Sequence, residues 1–350
     1  MSAAVPPSGR DQASDATKGL LIALVTLGHC YPAQLASPWV GEGALYDFHV
    51  LAFLLLPFLR PAAAFTWRSL SDRAVRYLVP FIAFALLSAA VWHLTLHPAA
   101  GWQALASALW RGDVDALAAG VGFTFLWFMP SLFTLTVLRS AVAATSRPLR
   151  WLLGAALVGL HGLVAGAHLA LPLNPLPALY ALPLGWALAA LASWRGGRFL
   201  WLAVALACGV VTTRLRHHIN VAPLLVPSWW TPQWLALHDL YAVAATLVAV
   251  HFGAVLARIP GLVPIGRHSL VIYLSHQFVL KGVELWATRQ PWYGAPNAHL
   301  AVAAVSVPLA LALGWAFAVW LARSPLRPWI LPHTVRDWPP LRRVLGASPA

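Results

Sequence analysis

The chain is 350 residues long, and 60% of its residues are hydrophobic while only 9% are charged. Water could not solvate such a surface, so the composition excludes a water-soluble domain and predicts an integral membrane protein. The net charge of +13 does not indicate nucleic-acid binding, because membrane proteins collect Lys and Arg on their cytoplasmic loops. Both cysteines, Cys30 and Cys208, lie in apolar runs and therefore predict neither a disulfide framework nor a zinc site.

In chain order the sequence contains ten hydrophobic segments of helical length. The strands of a membrane barrel would need only about ten alternating residues each, so the lengths of these runs favour helices. The predicted fold is therefore an all-α bundle of about ten transmembrane helices. The segments are 18–36, 44–59, 74–95, 117–138, 151–171, 176–193, 199–213, 239–257, 268–284 and 299–322.

Lys and Arg are distributed unequally over the loops between these segments. If the N-terminus is cytoplasmic, 18 basic residues fall on the cytoplasmic side and 5 on the opposite side. Because positive charges are retained on the cytoplasmic side, this asymmetry predicts that both termini are cytoplasmic. We therefore expect a cytoplasmic tail over 1–17, one transmembrane domain over 18–322 and a second cytoplasmic tail over 323–350.

Two stretches depart from the pattern of a plain membrane helix. Segment 44–59 is short, opens with Phe48-His49 and contains Pro57, so we expect a broken helix there. A broken helix persists at membrane depth only where it borders protein or a water-filled cavity. Residues 214–238 are rich in Pro and Trp, which is typical of an aromatic belt at the outer membrane surface, although a lid over a substrate cleft fits the same composition.

Three of the histidines within the predicted membrane segments are candidate site residues. His29 follows the charged cluster 15–19, and a rise of ~1.5 Å per residue places its imidazole near the middle of the hydrocarbon layer. Ionisable groups are costly at this depth, so a histidine there is a functional candidate, and a neutral histidine bonded to a neighbouring carbonyl is the alternative. For His49 and His276 the sequence likewise leaves open a catalytic role and a position in the core.

Charged residues also stand at the starts of two other helices. Arg73 and Arg76 share one helix face at i, i+3 and suit a phosphate, which guanidinium groups bind in bidentate fashion. An anchor at the cytoplasmic surface is the alternative for this pair. Asp239 follows His238 at the start of segment 239–257, so we expect its carboxylate to cap that helix.

Five short motifs occur in order along the chain. They comprise Asp15, Lys18, Gly19, Gly28 and His29; Phe48 and His49; Arg73, Arg76 and Pro80; Leu126-Trp127-Phe128-Met129-Pro130; and Gly266, Ser269, Leu270, Ile272, Tyr273 and His276. This order resembles the acyltransferase 3 family of integral membrane acyltransferases, and in particular its members similar to fucose 4-O-acetylases and other sugar O-acetylases. The likeness runs from Asp15 to about Ala322. The chain departs from the family in the second motif, where Met-Pro and Ser-Gly are missing.

The resemblance implies an O-acetyltransferase that moves an acyl group, usually acetyl, from cytoplasmic acyl-coenzyme A to a hydroxyl of an extracytoplasmic glycan or related acceptor. His29 would act as the general base or carry the acyl group as an acyl-imidazole, two routes that the sequence does not separate. The implied site residues are His29, His49 and His276 for catalysis, Arg73, Arg76, Lys18 and Asp15 for coenzyme binding, and Tyr273 and Trp127 for the substrate pocket.

The resemblance also implies the setting of the reaction. We expect a multi-pass protein of the bacterial inner membrane that has acyl-coenzyme A as donor substrate, no permanently bound cofactor or metal, and no nucleic-acid partner. A proton-coupled transporter or flippase of a cell-envelope precursor is the alternative, with the histidines relaying protons. The sequence shows no internal repeat of the kind found in many transporters. It leaves open the acceptor, the length of the acyl chain and the oligomeric state.

Overall fold

The computed structural model describes residues 9–41, 45, 47–95, 101–165, 167, 169–215 and 232–344. Within these ranges all regular secondary structure is helical and no strand is present, so the predicted all-α class is confirmed. Most of the Trp/Pro-rich loop, residues 216–231, lies outside the described part of the chain, and its two interpretations stay predictions.

The helices are numbered here in chain order. Those of the first half are α1 (Gly9–Gly28), α2 (Tyr31–Ala36), α3 (Pro38–Gly41), α4 (His49–Leu55), α5 (Trp67–Thr95), α6 (Trp102–Arg111), α7 (Val114–Gly120), α8 (Phe128–Ala144) and α9 (Arg147–Val164). Those of the second half are α10 (Pro175–Ala192), α11 (Arg198–Leu215), α12 (Pro232–His251), α13 (Gly253–Leu256), α14 (Leu262–Arg267), α15 (Ser269–Ala287), α16 (Ala298–Arg323), α17 (Arg327–Ile330) and α18 (Pro339–Val344). Short 3-10 helices cover Leu56–Leu59, Thr124–Trp127 and Arg195–Gly197.

Six helical stretches in the described part of the chain are long and apolar enough to cross a membrane. They are Trp67–Leu94, Thr124–Ala144, Pro175–Ala192, Arg198–Leu215, Pro232–His251 and Ala298–Arg323. Apolar side chains on other helices also remain exposed, among them Leu152 and Leu163 of α9, as suits a surface in contact with lipid. The chain is thus a multi-pass membrane protein. The count of ten spans and the cytoplasmic location of both termini stay predictions.

The first predicted segment, 18–36, is not one continuous helix. α1 ends at Gly28, and α2 begins at Tyr31 with Pro32 in its first turn. Proline lacks the N–H that would have bonded to the carbonyl four residues earlier, which is that of Gly28. The side chain of Gln34 takes this place, with Nε2 donating to Gly28 O at 2.6 Å. His29 therefore stands at the end of α1, immediately before the break, and its N–H still bonds to Val25 O at 3.0 Å.

The structure also tests the predicted broken helix over 44–59 and the predicted start of segment 239–257. Segment 44–59 forms the seven-residue helix α4, followed by the 3-10 helix Leu56–Leu59, as the expectation of a broken helix required. The predicted cap at Asp239 is wrong, because α12 begins at Pro232 and Asp239 lies inside it. The helix extends into the Pro- and Trp-containing stretch that the hydropathy pattern had assigned to the preceding loop.

The chain divides into two compact units, each described here by itself. The first unit comprises Met1–Leu55, Ala187–Ile219 and Trp230–Trp320. Its central helix is α1, which packs against α4, α12, α13, α14 and α15. Thr17 ties α1 to α12, because its hydroxyl donates to Ala249 O at 3.0 Å, a type of interhelical bond common in membrane proteins.

Two glycines allow α1 and α14 to touch in the first unit. A Cβ atom added to Gly266 would overlap the carbonyl oxygen of Asp15, and one added to Gly19 would overlap that of Leu262. Only glycine permits backbones to approach so closely. Glycines of the first and last sequence motifs therefore meet at one helix crossing, and this crossing positions α15 behind α14.

The second unit comprises Leu56–Trp186, Asn220–Trp229 and Leu321–Ala350. Its long helix α5 packs against α6, α8 and the short α17. The residues that follow α17 also contact α5, because Val335 N donates to Asp72 Oδ1 at 2.9 Å. Part of the predicted C-terminal tail, α17 and Val335, thus contacts α5.

Candidate active site

The three intramembrane histidines named from the sequence come together in the first unit. His29 Nδ1 lies 2.8 Å from His276 Nε2, and the two rings stack with centroids 5.0 Å apart. The His49 ring stands edge-on to His29 at a centroid distance of 6.4 Å. His49 and His276 are fully buried, whereas His29 is partly exposed. Among the three, only His29 has part of its surface exposed.

The hydrogen bonds of these histidines assign their tautomers. His276 Nδ1 lies 2.6 Å from Tyr273 O, and because a carbonyl only accepts, the Nδ1 of His276 carries the proton. The Nε2 of neutral His276 must then accept, so the bond to His29 is donated by His29 Nδ1. This assignment puts the basic lone pair of neutral His29 on Nε2. A backbone carbonyl thereby sets the protonation of His29 through one intervening imidazole.

His49 contacts the turn before α4, of which it is the first residue, and the C-terminal end of α1. Its Nδ1 donates to Leu45 O, and its backbone N–H bonds to the same carbonyl at 3.2 Å. A Cβ atom added to Gly28 would come within 3.3 Å of Cε1 and Nε2 of the His49 ring. The ring thus lies directly on the Gly28 backbone, and a glycine before His29 is what allows this approach.

The two residues predicted to line the substrate pocket have different surroundings. Tyr273 is buried on α15, with its ring 5.9 Å from that of His276, and its carbonyl is the acceptor described above. Trp127 belongs to the second unit, where it is buried at the end of a 3-10 helix with its ring edge-on to Phe128 at 6.1 Å. The ring of Trp127 packs within that unit and its carbonyl accepts from Ser131 Oγ at 3.1 Å, and a pocket role for it stays a prediction.

Asp15 and Lys18 take part in an ion-pair network at the crossing of α1 and α14. Lys18 Nζ donates to Asp15 Oδ1 at 2.8 Å, and Arg267 Nε lies 3.3 Å from Asp15 Oδ2. This network gives both residues a structural task next to Gly19 and Gly266. The coenzyme-binding role assigned to them by resemblance stays a prediction.

Arg73 in the second unit is a buried guanidinium with unused hydrogen-bonding capacity. Its side chain is only 8% exposed, and Nη1 donates to Thr136 O of α8 at 3.0 Å. The buried Nη2 has no acceptor among the described residues. A charged donor left in this state is costly, and an anionic oxygen would satisfy it with a strong, charge-assisted bond.

Arg139, which the sequence offered only as one of many cytoplasmic positive charges, belongs with Arg73. It lies on α8 one turn after Thr136, donates to Arg60 O and places its guanidinium 5.0 Å above the Phe58 ring. Its charge interacts repulsively with that of Arg73. No local sequence pattern joins residues on two different helices, so only the tertiary structure reveals this basic pair.

Arg76 shares a helix face with Arg73 but has a different partner. It is exposed, and its Nε and Nη2 donate to His333 O at 3.3 and 3.2 Å. Arg327 Nη2 lies 2.9 Å from His333 Nε2. Partial burial and the charges of Arg327 and Arg76 lower the pKa of His333, in agreement with Nε2 acting as the acceptor. Arg76 is thus held by the segment that follows α17.

Comparison with known proteins bears on nearly the whole chain. The family model of acyltransferase 3, described as an acyltransferase domain, matches residues 11–320. Neither a curated protein nor a solved structure matches the chain. The matched range contains the three histidines, the arginines Arg73, Arg76 and Arg139, and the crossing of α1 and α14. The chain therefore belongs to the acyltransferase 3 family and is a membrane acyltransferase.

Proposed function

We propose that this protein transfers an acyl group, acetyl in the first instance, from cytoplasmic acyl-coenzyme A to a hydroxyl of an extracytoplasmic glycan or related acceptor in the bacterial inner membrane. The observation that carries the proposal is the chain of hydrogen bonds from His29 through His276 to the carbonyl of Tyr273. It supplies a partly exposed imidazole in a defined tautomer, within a chain of the acyltransferase 3 family.

The proposed reaction requires a base for the acceptor hydroxyl, whereas the thioester donor is already activated. A thioester is already reactive, whereas a sugar hydroxyl holds its proton at neutral pH, and histidine is the side chain most often used to remove it. His29 Nε2 accepts this proton while the hydroxyl oxygen forms a bond to the thioester carbon. The C–S bond breaks, and the proton passes from His29 to the departing thiolate, which leaves as coenzyme A thiol.

The same arrangement supports a route in two steps. His29 Nε2 attacks the thioester carbon, the C–S bond breaks, and coenzyme A leaves as the thiolate from an acyl-imidazolium that keeps its Nδ1 proton. The acceptor hydroxyl then takes the acyl group from this acyl-imidazole, and the hydroxyl proton neutralises the thiolate. In both routes His29 Nδ1 keeps its bond to His276, so the developing positive charge on His29 is shared with a polar neighbour. Incubation with labelled donor and no acceptor distinguishes the routes, because only the second leaves label on the protein.

The basic group of the second unit would hold the donor. Coenzyme A carries several phosphate charges, and guanidinium groups bind phosphate through paired donors. Arg73 has a buried nitrogen without an acceptor among the described residues, and Arg139 adds a second positive charge. Arg76 would join them once its bonds to His333 O are exchanged for bonds to phosphate.

A proton-coupled transporter or flippase is the second candidate, because hydrogen-bonded histidines would also relay protons. The two candidates differ in their product. A transporter moves an unmodified precursor across the membrane, whereas an acyltransferase forms an ester. Membership of the acyltransferase 3 family favours the enzyme.

The test uses purified protein in lipid nanodiscs with labelled acetyl-coenzyme A and a panel of cell-envelope glycans. We expect ester formation by the wild type and a loss of about 10²–10⁴-fold in kcat for His29→Ala, the contribution of a positioned base. His251→Ala is the matched control, because His251 lies in the same unit and bonds to Ala192 O. Retained transfer by His29→Ala would remove His29 from the mechanism, and transport without ester would favour the second candidate.

A further inference from the structure

Three titratable side chains of the first unit are not among the predicted site residues. Asp47 lies in the turn before α4, and His238 and Asp239 lie on α12. The side chains of Asp47 and His238 are fully buried, with His238 Nε2 at 3.7 Å from Asp47 Oδ1. On the other side of the ring, His238 Nδ1 lies 3.5 Å from Asp239 Oδ1. A carboxylate thus faces each nitrogen of one buried imidazole.

This arrangement attaches the turn before α4 to α12. A buried carboxylate is costly without a polar partner, and a ring nitrogen of His238 faces Asp47 at 3.7 Å. The other ring nitrogen faces Asp239 at the outer limit of hydrogen bonding. The Asp47–His238 contact is called an ion pair here by its geometry, a carboxylate oxygen beside an imidazole nitrogen.

The same turn continues into the candidate active site. Asp47 is followed by Phe48, whose ring stands edge-on both to His49 at 6.4 Å and to Tyr241 of α12 at 5.6 Å. The charge of Asp47 also interacts with the Tyr241 hydroxyl. The turn thus has two attachments to α12, an ion pair and an aromatic contact, and His49 is the next residue along the chain.

We propose that the Asp47–His238 ion pair is a positioning pair that sets where His49 stands relative to His29. The turn that Asp47 anchors also presents the Leu45 carbonyl, which receives the Nδ1 proton of His49. Loss of the ion pair releases this turn and displaces the His49 ring, while groups that bind the acyl donor stay unchanged. The inference rests on the proposed function for its activity measurement, and a second measurement avoids that dependence.

The variants are Asp47→Asn, His238→Gln and the double variant, with Asp113→Asn as the matched control. Asp113 is a carboxylate of the second unit that caps α7 through Ala116 N. We expect Asp47→Asn to lower kcat about tenfold to a hundredfold, the scale of a small misplacement in an active site. The KM for acetyl-coenzyme A should stay within about twofold of wild type, and the double variant should lose no more than either single variant, because the pair acts as one unit.

The second measurement is nitrogen NMR of histidine-labelled protein, with the His49 signals assigned by their loss in His49→Gln. These signals should move in Asp47→Asn and in the double variant but not in Asp113→Asn. If the wild type transfers no acyl group, the proposed function fails while the NMR shift still tests the ion pair. Unmoved His49 signals overturn the inference. Loss of folding in both Asp47→Asn and the double variant also overturns it, because the pair then supports the fold as a whole and not His49.

Discussion

The histidine cluster of the first unit and the arginines of the second unit use their hydrogen bonds in opposite ways. In the first unit, the Nδ1 protons of His49 and His276 both end on backbone carbonyls, those of Leu45 and Tyr273. In the second unit, Arg73 gives one nitrogen to Thr136 O and keeps another buried without an acceptor in the described structure. A group that moves protons needs a fixed tautomer, whereas a group that binds anions needs donors in reserve.

The contrast extends to the cost of burial. A neutral imidazole is tolerated in an apolar unit, so the histidine group can be fully organised before substrate binds. A guanidinium remains charged under all ordinary conditions, so the buried Arg73 keeps a cost that an anion would relieve. We therefore expect changes at the histidines to act on kcat and changes at the arginines to act on donor binding.

The largest effect among the remaining predictions is expected at His276. In His276→Phe, His29 Nδ1 loses its acceptor and the ring is no longer held in one tautomer. By analogy with the loss of tautomer control in hydrolase triads, kcat should fall about 10²–10⁴-fold while the KM for the donor stays close to wild type. His276→Gln should recover part of the loss, because an amide oxygen can accept the Nδ1 proton. Steady-state acyl transfer over a range of donor concentrations measures both constants.

The control for this pair of variants is their thermal unfolding, since both remove a buried ring. Equal kcat values for His276→Phe and His276→Gln would contradict the argument from tautomers, because the two differ in the acceptor that they offer. A fall in kcat that follows the fall in Tm would point instead to a general loss of packing around α15.

A smaller effect is expected at Arg73, and it should fall on binding. Arg73→Ala should raise the KM for acetyl-coenzyme A about 10- to 100-fold, since a charge-assisted bond and its partner's burial are worth about 1.5–3 kcal/mol. The kcat should change little. A shortened thioester donor that lacks the nucleotide phosphates should show the same KM with Arg73→Ala and with wild type.

Arg68→Ala is the matched control for Arg73, because Arg68 is an exposed arginine in the first turn of the same helix. Coenzyme A should also raise the Tm of the wild type and of Arg68→Ala more than that of Arg73→Ala, because a ligand stabilises the state that binds it. If the shortened donor lost affinity to the same extent as the full donor, Arg73 would not contact phosphate.

The sequence predicts the class of this protein and the grouping of its candidate histidines better than it predicts their surroundings. Composition and run length were enough for the helical fold, and intramembrane position together with the ordered motifs selected His29, His49 and His276. The break at His29 was missed because the consequence of Pro32 for the Gly28 carbonyl depends on local geometry. Tautomer control by Tyr273 depends on a backbone carbonyl, which any residue at that position supplies.

Pairings across the chain were also beyond a reading of the sequence alone. Asp239 was read as a helix cap because its neighbours suggested a helix start, yet it faces His238 inside α12. Arg139 stands on a different helix from Arg73, and nothing in its immediate sequence marks it out. Both cases show that residues which meet through packing leave no periodic signal in the sequence.

The smallest effect is expected at Gly28. It tests whether the position of the histidines affects kcat, as the contrast with the arginines predicts. In Gly28→Ala the new Cβ atom would lie 3.3 Å from Cε1 and Nε2 of His49, so the ring must move by a few tenths of an ångström. We expect kcat to fall about two- to fivefold, less than the hundredfold loss that a full 1 Å displacement can cause. The Tm should stay level or rise, because alanine is favoured over glycine in a helix by about 0.5–1 kcal/mol. Reduced turnover in a protein that is no less stable would separate the position of His49 from the stability of the fold, whereas unchanged turnover would show that His49 only fills the core.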